Sequence, residues 1–217
     1  MKLSKKNIAL EAEKQLEKLY PDAVCSLDYE TPFQLLVAVR LSAQCTDKRV
    51  NIVTKDLFRK FKTVEDFANA DESDIADSIK SCGLYKTKAR DLKLMAKKLI
   101  AEYGGTVPDN MEALTSLPGV GRKTANLIMG DVYSQPAVVT DTHFIRITGR
   151  LGLTNNSEPF KVEKDLRKLL TPETSSDFCH RIVLFGREYC KARNPLCQDC
   201  PLKEICKENK NGKKTLR

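Results

Sequence analysis

Leu117-Pro118-Gly119-Val120-Gly121-Arg122-Lys123-Thr124-Ala125 is the stretch from which the fold follows. Leu117 ends an apolar-periodic run that includes Met111 and Leu114, and Pro118 cannot continue that helix. Gly119 and Gly121 are expected to adopt backbone conformations closed to other residues, and Arg122 to open a second helix. The pattern predicts helix, hairpin, helix. Such a hairpin presents backbone N–H groups and the positive end of a helix dipole to an anion, with no side chain in the way. Lys123 falls in the first turn of the second helix. A lysine amine has a reference pKa of about 10.4, so it becomes a nucleophile near neutrality only where its proton is more readily lost, and adjacent positive charge favours that loss. A glycine turn followed by two solvated cations is the bland alternative, and the rest of the chain has to decide between them.

The chain has 217 residues, room for one domain or two small ones. Its 37 Lys and Arg against 29 Asp and Glu give a formal charge of +8 and a pI near 9.0, which favours a polyanionic partner such as nucleic acid. The longest apolar run, Leu35 to Val39, falls far short of the roughly 18 residues that span a membrane. The first residues, M-K-L-S-K-K-N-I-A-L-E-A-E-K, lack the apolar core of a secretion signal and look like a charged helix, so a soluble intracellular protein is expected.

Helical signals run from end to end. Ile8, Ala12, Leu16 and Leu19 lie on one face of a first helix that Tyr20-Pro21-Asp22 stops. Thr31-Pro32-Phe33-Gln34 begins a second, and the L-L-V-A-V behind it is too apolar for a surface helix, which places it in the core. Thr46-Asp47 and Thr63 to Asp66 start two more, and Asp71 or Ser73 starts one that ends at Cys82-Gly83. Thr87 opens a long helix that Gly104-Gly105 ends, and Pro108-Asp109 leads into the first hairpin helix. Pro136 to Thr140 reads as extended, Asp141-Thr142 as the cap of a helix, Ser157-Glu158-Pro159 as the start of the next, and Ser175-Ser176-Asp177 as that of the last. The basic tail K-E-N-K-N-G-K-K-T-L-R is expected to fray. The class is all-α with almost no strand.

Cys190, Cys197, Cys200 and Cys206 have the spacing C-x6-C-x2-C-x5-C, closed around Pro195 and Pro201. Four thiolates so spaced suit either a four-cysteine zinc site or a cubane iron–sulfur cluster, and general rules of ligation give zinc the edge. With no open ligand position, the site reads as structural or redox-sensing. Arg187, Lys191 and Arg193 around it could form a second phosphate-contacting loop. Cys25, Cys45, Cys82 and Cys179 are scattered and read as small buried hydrophobes.

Three motifs together resemble one family. L-P-G-V-G-R-K-T-A at 117–125 followed by V-T-D-T-H at 139–143, with the cysteine spacing at 190–206, is similar to the endonuclease III family of helix-hairpin-helix DNA glycosylases. L-S-A-Q-C-T at 41–46 and G-L-Y-K-T-K-A at 83–89 match further family segments, so the likeness covers nearly the whole chain. It implies an all-α, two-domain helix-hairpin-helix glycosylase fold with a C-terminal iron–sulfur cluster loop, and a [4Fe-4S] cluster in place of zinc. The implied domains are residues 25–135, a six-helix domain containing the hairpin, and residues 1–24 plus 136–217, with the active site in the cleft between them.

The implied activity is base-excision repair: a bifunctional enzyme that removes oxidised pyrimidines from double-stranded DNA and cleaves the abasic site by β-elimination. Lys123 matches the nucleophile and Asp141 the catalytic aspartate, a role compatible with capping a helix. Gln44 and Leu84 match residues that fill the duplex where a base has flipped out, although by residue type alone Leu84 reads as a core hydrophobe. Gly119, Val120, Gly121 and Arg122 would hold backbone phosphate, Lys191 would add a contact, and His143 and Thr142 would line the pocket. Thr140 and Cys45 depart from the family pattern and bear on substrate range. A monomer in the cytoplasm, associated with the nucleoid and not with a membrane, completes the expectation.

Overall fold

The computed structural model describes residues 3–210, and among these no strand forms. The chain divides into two compact units, Cys25–Tyr133 and the described parts of Met1–Val24 with Ser134–Arg217. It begins with α1 (Lys5–Leu19), capped by Ser4, whose hydroxyl accepts from the Asn7 N–H at 3.2 Å.

The Cys25–Tyr133 unit is built on α2 (Pro32–Ser42). Thr31 Oγ1 accepts from the Gln34 N–H at 3.2 Å and Gln34 Oε1 accepts from the Glu30 N–H at 2.7 Å, while Pro32 takes the first helical position, where an N–H would have no partner in the helix. Phe33, Leu35, Leu36, Val37, Ala38 and Leu41 are all buried, so α2 is a core helix as its sequence predicts. Around it lie α3 (Asp47–Lys60), capped by Thr46, and α4 (Val64–Asn69), which carries a full capping box between Thr63 and Asp66. α5 (Glu72–Ser78) is shorter than expected. Ile79 leaves helical geometry at φ −112°, ψ 13°, and Lys80–Cys82 tighten into a 3-10 turn. α6 (Tyr85–Tyr103) starts two residues before Thr87, because Gly83 and Leu84 both take positive φ, 64° and 48°, and the sharp break makes Leu84 its N-cap. α7 (Met111–Ser116) and α8 (Arg122–Asp131) close the unit. It holds the seven α-helices whose starts the sequence marks, where the resemblance implied a six-helix domain, and the six-residue α4 and α7 are each capped in their own right.

In the other unit, residues 137–140 are buried and belong to neither helix nor sheet. The Ala137 N–H donates to Ser175 Oγ at 3.2 Å and the Val139 N–H to Cys179 Sγ at 3.3 Å, so side chains supply acceptors that a neighbouring strand would otherwise provide. α9 (Thr142–Leu151), α10 (Pro159–Leu166), a 3-10 turn over Pro172–Thr174 and α11 (Ser175–Glu188) follow. α11 is not the last helix: Lys207–Lys210 form a short α12, and the rest of the tail expected to fray lies outside the described residues. Cys25 and Cys45 are only half-buried, unlike Cys82 and Cys179.

α1 packs on α11 through Ala9, Ala12 and Leu16. Glu13, on the same buried face, accepts from the Thr171 N–H at 2.9 Å, Thr171 Oγ1 at 3.2 Å and Thr174 Oγ1 at 3.3 Å. Apolar periodicity gives no sign of that carboxylate. α9 and α11 meet through Phe144 and Phe178, edge to face at 6.1 Å, and through the bare backbone of Gly186. A Cβ on Gly186 would stand 2.4 Å from His143 Nδ1 and 2.9 Å from Ile147 Cδ1. Gly186→Ala is therefore expected to lower stability by about 1–3 kcal/mol through overpacking, read from urea unfolding.

Candidate functional site

The hairpin between α7 and α8 is held from below by its apolar residues. Leu117 and Val120 are buried at 2% and 7% exposure, and the Val120 N–H donates to Leu117 O at 3.1 Å to close the turn. Gly119 adopts φ 77°, and a Cβ there would lie 2.7 Å from Arg40 Nε and 3.2 Å from Asp91 Cβ. Beneath it, Arg40 of α2 donates to Asp91 Oδ2 of α6 from Nε at 3.1 Å and Nη2 at 2.6 Å. Sequence reasoning missed this pair. Its signal was an arginine at the end of a helix otherwise apolar on every face.

Gly121 differs from expectation. At φ −97°, ψ 174° its backbone is extended and open to any residue, and a Cβ would meet nothing within 4 Å. What Gly121 supplies is room outside the chain rather than a special conformation. It also lacks a side chain to cap α8, so Arg122 and Lys123, both exposed in the first turn, follow a bare helix start. Ala125 and Ile128 bury the opposite face of the helix. Val120 turns its side chain into the core and its N–H to Leu117 O, so, against expectation, neither faces an anion.

Two further residues of this unit stand out. Gln44, just past α2, has φ 56° and is exposed; Leu84 has φ 48° and is 57% exposed. Leu84 is therefore no core hydrophobe. Both are non-glycine residues in the left-handed region, an arrangement that persists only where surrounding contacts impose it.

In the other unit Asp141 caps α9, its Oδ1 accepting from the Phe144 N–H at 2.7 Å while its backbone oxygen accepts from the Ile145 N–H at 3.0 Å. The carboxylate is half-buried and fixed in direction by the helix it starts. Thr142 beside it is exposed, whereas the His143 ring places Nδ1 3.1 Å from Arg146 Nη2. Farther along α9 are two arginines that sequence reasoning overlooked. Arg146 reaches Cys190 O from Nε at 3.2 Å and Nη2 at 2.9 Å. Arg150 donates from Nη1 to Cys190 Sγ at 3.3 Å and Lys191 O at 2.8 Å, and from Nη2 to Ala192 O at 3.2 Å. Their spacing of four places them on one helical face, and the helix that presents Asp141 thereby grips the start of the cysteine loop.

Cys190, Cys197, Cys200 and Cys206 line one cavity of about 1030 Å³, whose apolar wall includes Ile147, Leu151, Phe185 and Leu202. The Cys200 thiol is pushed up to about 11, chiefly by burial, with the charge of the other three cysteines adding to the rise. Among the described residues no three His, Cys, Asp or Glu side chains stand close enough to hold a single metal ion. Four soft donors with an apolar wall fit an iron–sulfur group. Lys191, Arg187 and Arg193 are exposed.

Residues 37–172 match the HhH-GPD superfamily of base excision DNA repair proteins, and residues 190–206 match the iron-sulfur binding domain of endonuclease III. Endonuclease III of Synechocystis sp. is 46% identical over 204 residues, which cover 94% of this chain and 93% of its own length. That of Bacillus subtilis is 44% identical over 200 residues, 91% of each. A solved structure of a trapped endonuclease III–DNA covalent intermediate gives a TM-score of 0.90 at 42% identity, covering 97% of this chain and 99% of that one.

The two hairpin glycines are expected to separate on substitution. Gly119→Ala meets both the left-handed backbone and the Arg40 side chain and is expected to cost about 2 kcal/mol or more. Gly121→Ala should leave stability within about 0.5 kcal/mol of the parent, both values taken from chemical unfolding.

Proposed function

The chain belongs to the endonuclease III family of HhH-GPD base excision DNA repair proteins, and on that premise we propose how its residues divide the work of a DNA glycosylase and abasic-site lyase. Its fold is the family's all-α helix-hairpin-helix fold, and its cysteine loop is an iron–sulfur binding domain, which sets aside the zinc that spacing alone favoured. The observation that carries the catalytic reading is Lys123, an exposed amine in the first turn of a helix that a bare glycine hairpin introduces.

The substrates are oxidised pyrimidines and abasic sites in double-stranded DNA. The hairpin backbone at Gly119 and Gly121, with Val120 closing the turn beneath them and with Arg122 and, from the cysteine loop, Lys191, holds phosphate. The target nucleotide leaves the stack, at a cost of a few kcal/mol, and Gln44 and Leu84 occupy the space it vacates. Lys123 Nζ attacks the sugar C1′, the C1′–N bond breaks and the base departs with its bonding pair. Loss of a proton from nitrogen and opening of the ring give a Schiff base. That C=N is an electron sink: a proton is removed from C2′, the electrons move into the conjugated system and the 3′ phosphate leaves. Asp141, oriented by its cap bond, stabilises positive charge on the sugar and assists the proton transfers, with His143 at the edge of the pocket. The enzyme acts as a monomer in the cytoplasm, at the nucleoid; no helix among the described residues is long and apolar enough to cross a membrane.

The cluster is of the [4Fe-4S] type, held by Cys190, Cys197, Cys200 and Cys206, and its supply of metal–sulfur bonds ties the loop into one body. Elemental and sulfide analysis should return about four irons and four sulfides per chain, and stoichiometric zinc in a colourless protein would refute this. Borohydride added to the protein and an abasic duplex is expected to trap a covalent complex that Lys123→Gln abolishes. No adduct with the intact chain would refute the lyase chemistry. Asp141→Asn should slow excision by about 10²–10⁴-fold without unfolding α9, since Asn also caps helices.

A further inference from the structure

Lys88, one turn into α6, is wholly buried at 0% exposure. Its Nζ donates to Leu41 O at 2.8 Å, Ala43 O at 2.8 Å and Cys82 O at 2.7 Å, which uses all three ammonium protons. Leu41 and Ala43 end α2, where carbonyls have no helical donor and the dipole is negative, so a cation is favoured there. Cys82 ends the 3-10 turn. Burial, the largest influence on the amine, lowers its pKa and works against the charge. An apolar side chain would fill this space without that penalty, so what the ammonium adds is a tie between two chain segments that are 40 residues apart.

Each tied segment ends in an exposed residue in the left-handed region: Gln44 directly after Ala43, and Leu84 two residues after Cys82. Neither bears a side chain that favours such a backbone, and Leu84 gains no burial from it. We propose that Lys88 is a positioning residue, whose buried ammonium joins the end of α2 to the turn before α6 and so sets Gln44 and Leu84 in register as a pair for insertion into duplex DNA. This rests on the reading that those two residues fill the space left by the flipped base.

The test compares two substrates: a duplex carrying one oxidised pyrimidine, which requires insertion, and a single-stranded abasic oligonucleotide, which requires only the chemistry at Lys123. Lys88→Met is expected to lower kcat/KM on the duplex by about 10–100-fold and to leave cleavage of the single strand within about twofold. Lys88→Arg, which keeps the charge with altered geometry, should recover part of the duplex activity. In a Leu84→Ala background Lys88→Met should add little further loss, because the two changes disable one device. Equal losses on both substrates, or undiminished duplex activity, would overturn the positioning role while leaving insertion intact. If Leu84→Ala and Gln44→Ala themselves act on the duplex at the parental rate, the insertion reading falls and takes this inference with it. Should Lys88→Met fail to fold by circular dichroism, Lys88→Arg decides the matter through the same ratio of duplex to single-strand activity.

Discussion

The hairpin rests on one ion pair. Arg40 and Asp91 come from α2 and α6, with side chains only 15% and 13% exposed, and the guanidinium binds a single carboxylate oxygen through two nitrogens. Removing either partner would leave a charge in a place where water cannot solvate it, which is costlier than the pair itself is stabilising. The guanidinium also fills the volume that a side chain at residue 119 would need, so the identity of Gly119 follows from the position of Arg40. Leu117 and Val120 then fasten the turn on either side. Backbone N–H groups can face outward at a fixed height because everything beneath them is close-packed.

The Ser134–Arg217 part of the chain solves a similar problem with different material. Asp141 is set by the helix it starts, and that helix is set by what lies along it: Phe144 against Phe178, the absence of a side chain at Gly186, and two arginines satisfying carbonyls of the cysteine loop. The role proposed for Asp141 gains most from so rigid a mount, since small errors in placement are costly to catalysis.

Much of this was legible in the sequence, for identifiable reasons. Caps declare themselves locally, so Thr31, Thr46, Thr63 and Asp141 were readable as helix starts, and the unbroken apolar run behind Thr31 as core. Density of cysteine and proline marked the metal loop. What failed were properties fixed by tertiary neighbours. Glycine at 121 suggested a strained turn, but its backbone is ordinary. Leu84 looked like core because hydrophobicity does not report which way a left-handed residue points. The burial of Lys88 and Glu13 left no local mark, since the partners that hold them, Leu41, Cys82, Thr171 and Thr174, lie on other elements. The tightening after Ile79 left no mark because Lys80 and Ser81 are tolerated in either type of helix.

The joining of α1 to α11 has a consequence for synthesis. Glu13 bonds to residues 158 positions later, whereas Cys25–Tyr133 draws its core from within itself. At about 5–20 residues per second, α1 leaves the ribosome roughly 8–30 seconds before Thr171 exists to meet it. Its apolar stripe and its carboxylate therefore wait while the inner unit gathers its own helices. α1 is among the last pieces to be seated, and a nascent protein stalled before residue 171 would carry that amphipathic helix unclaimed, a ready target for a chaperone.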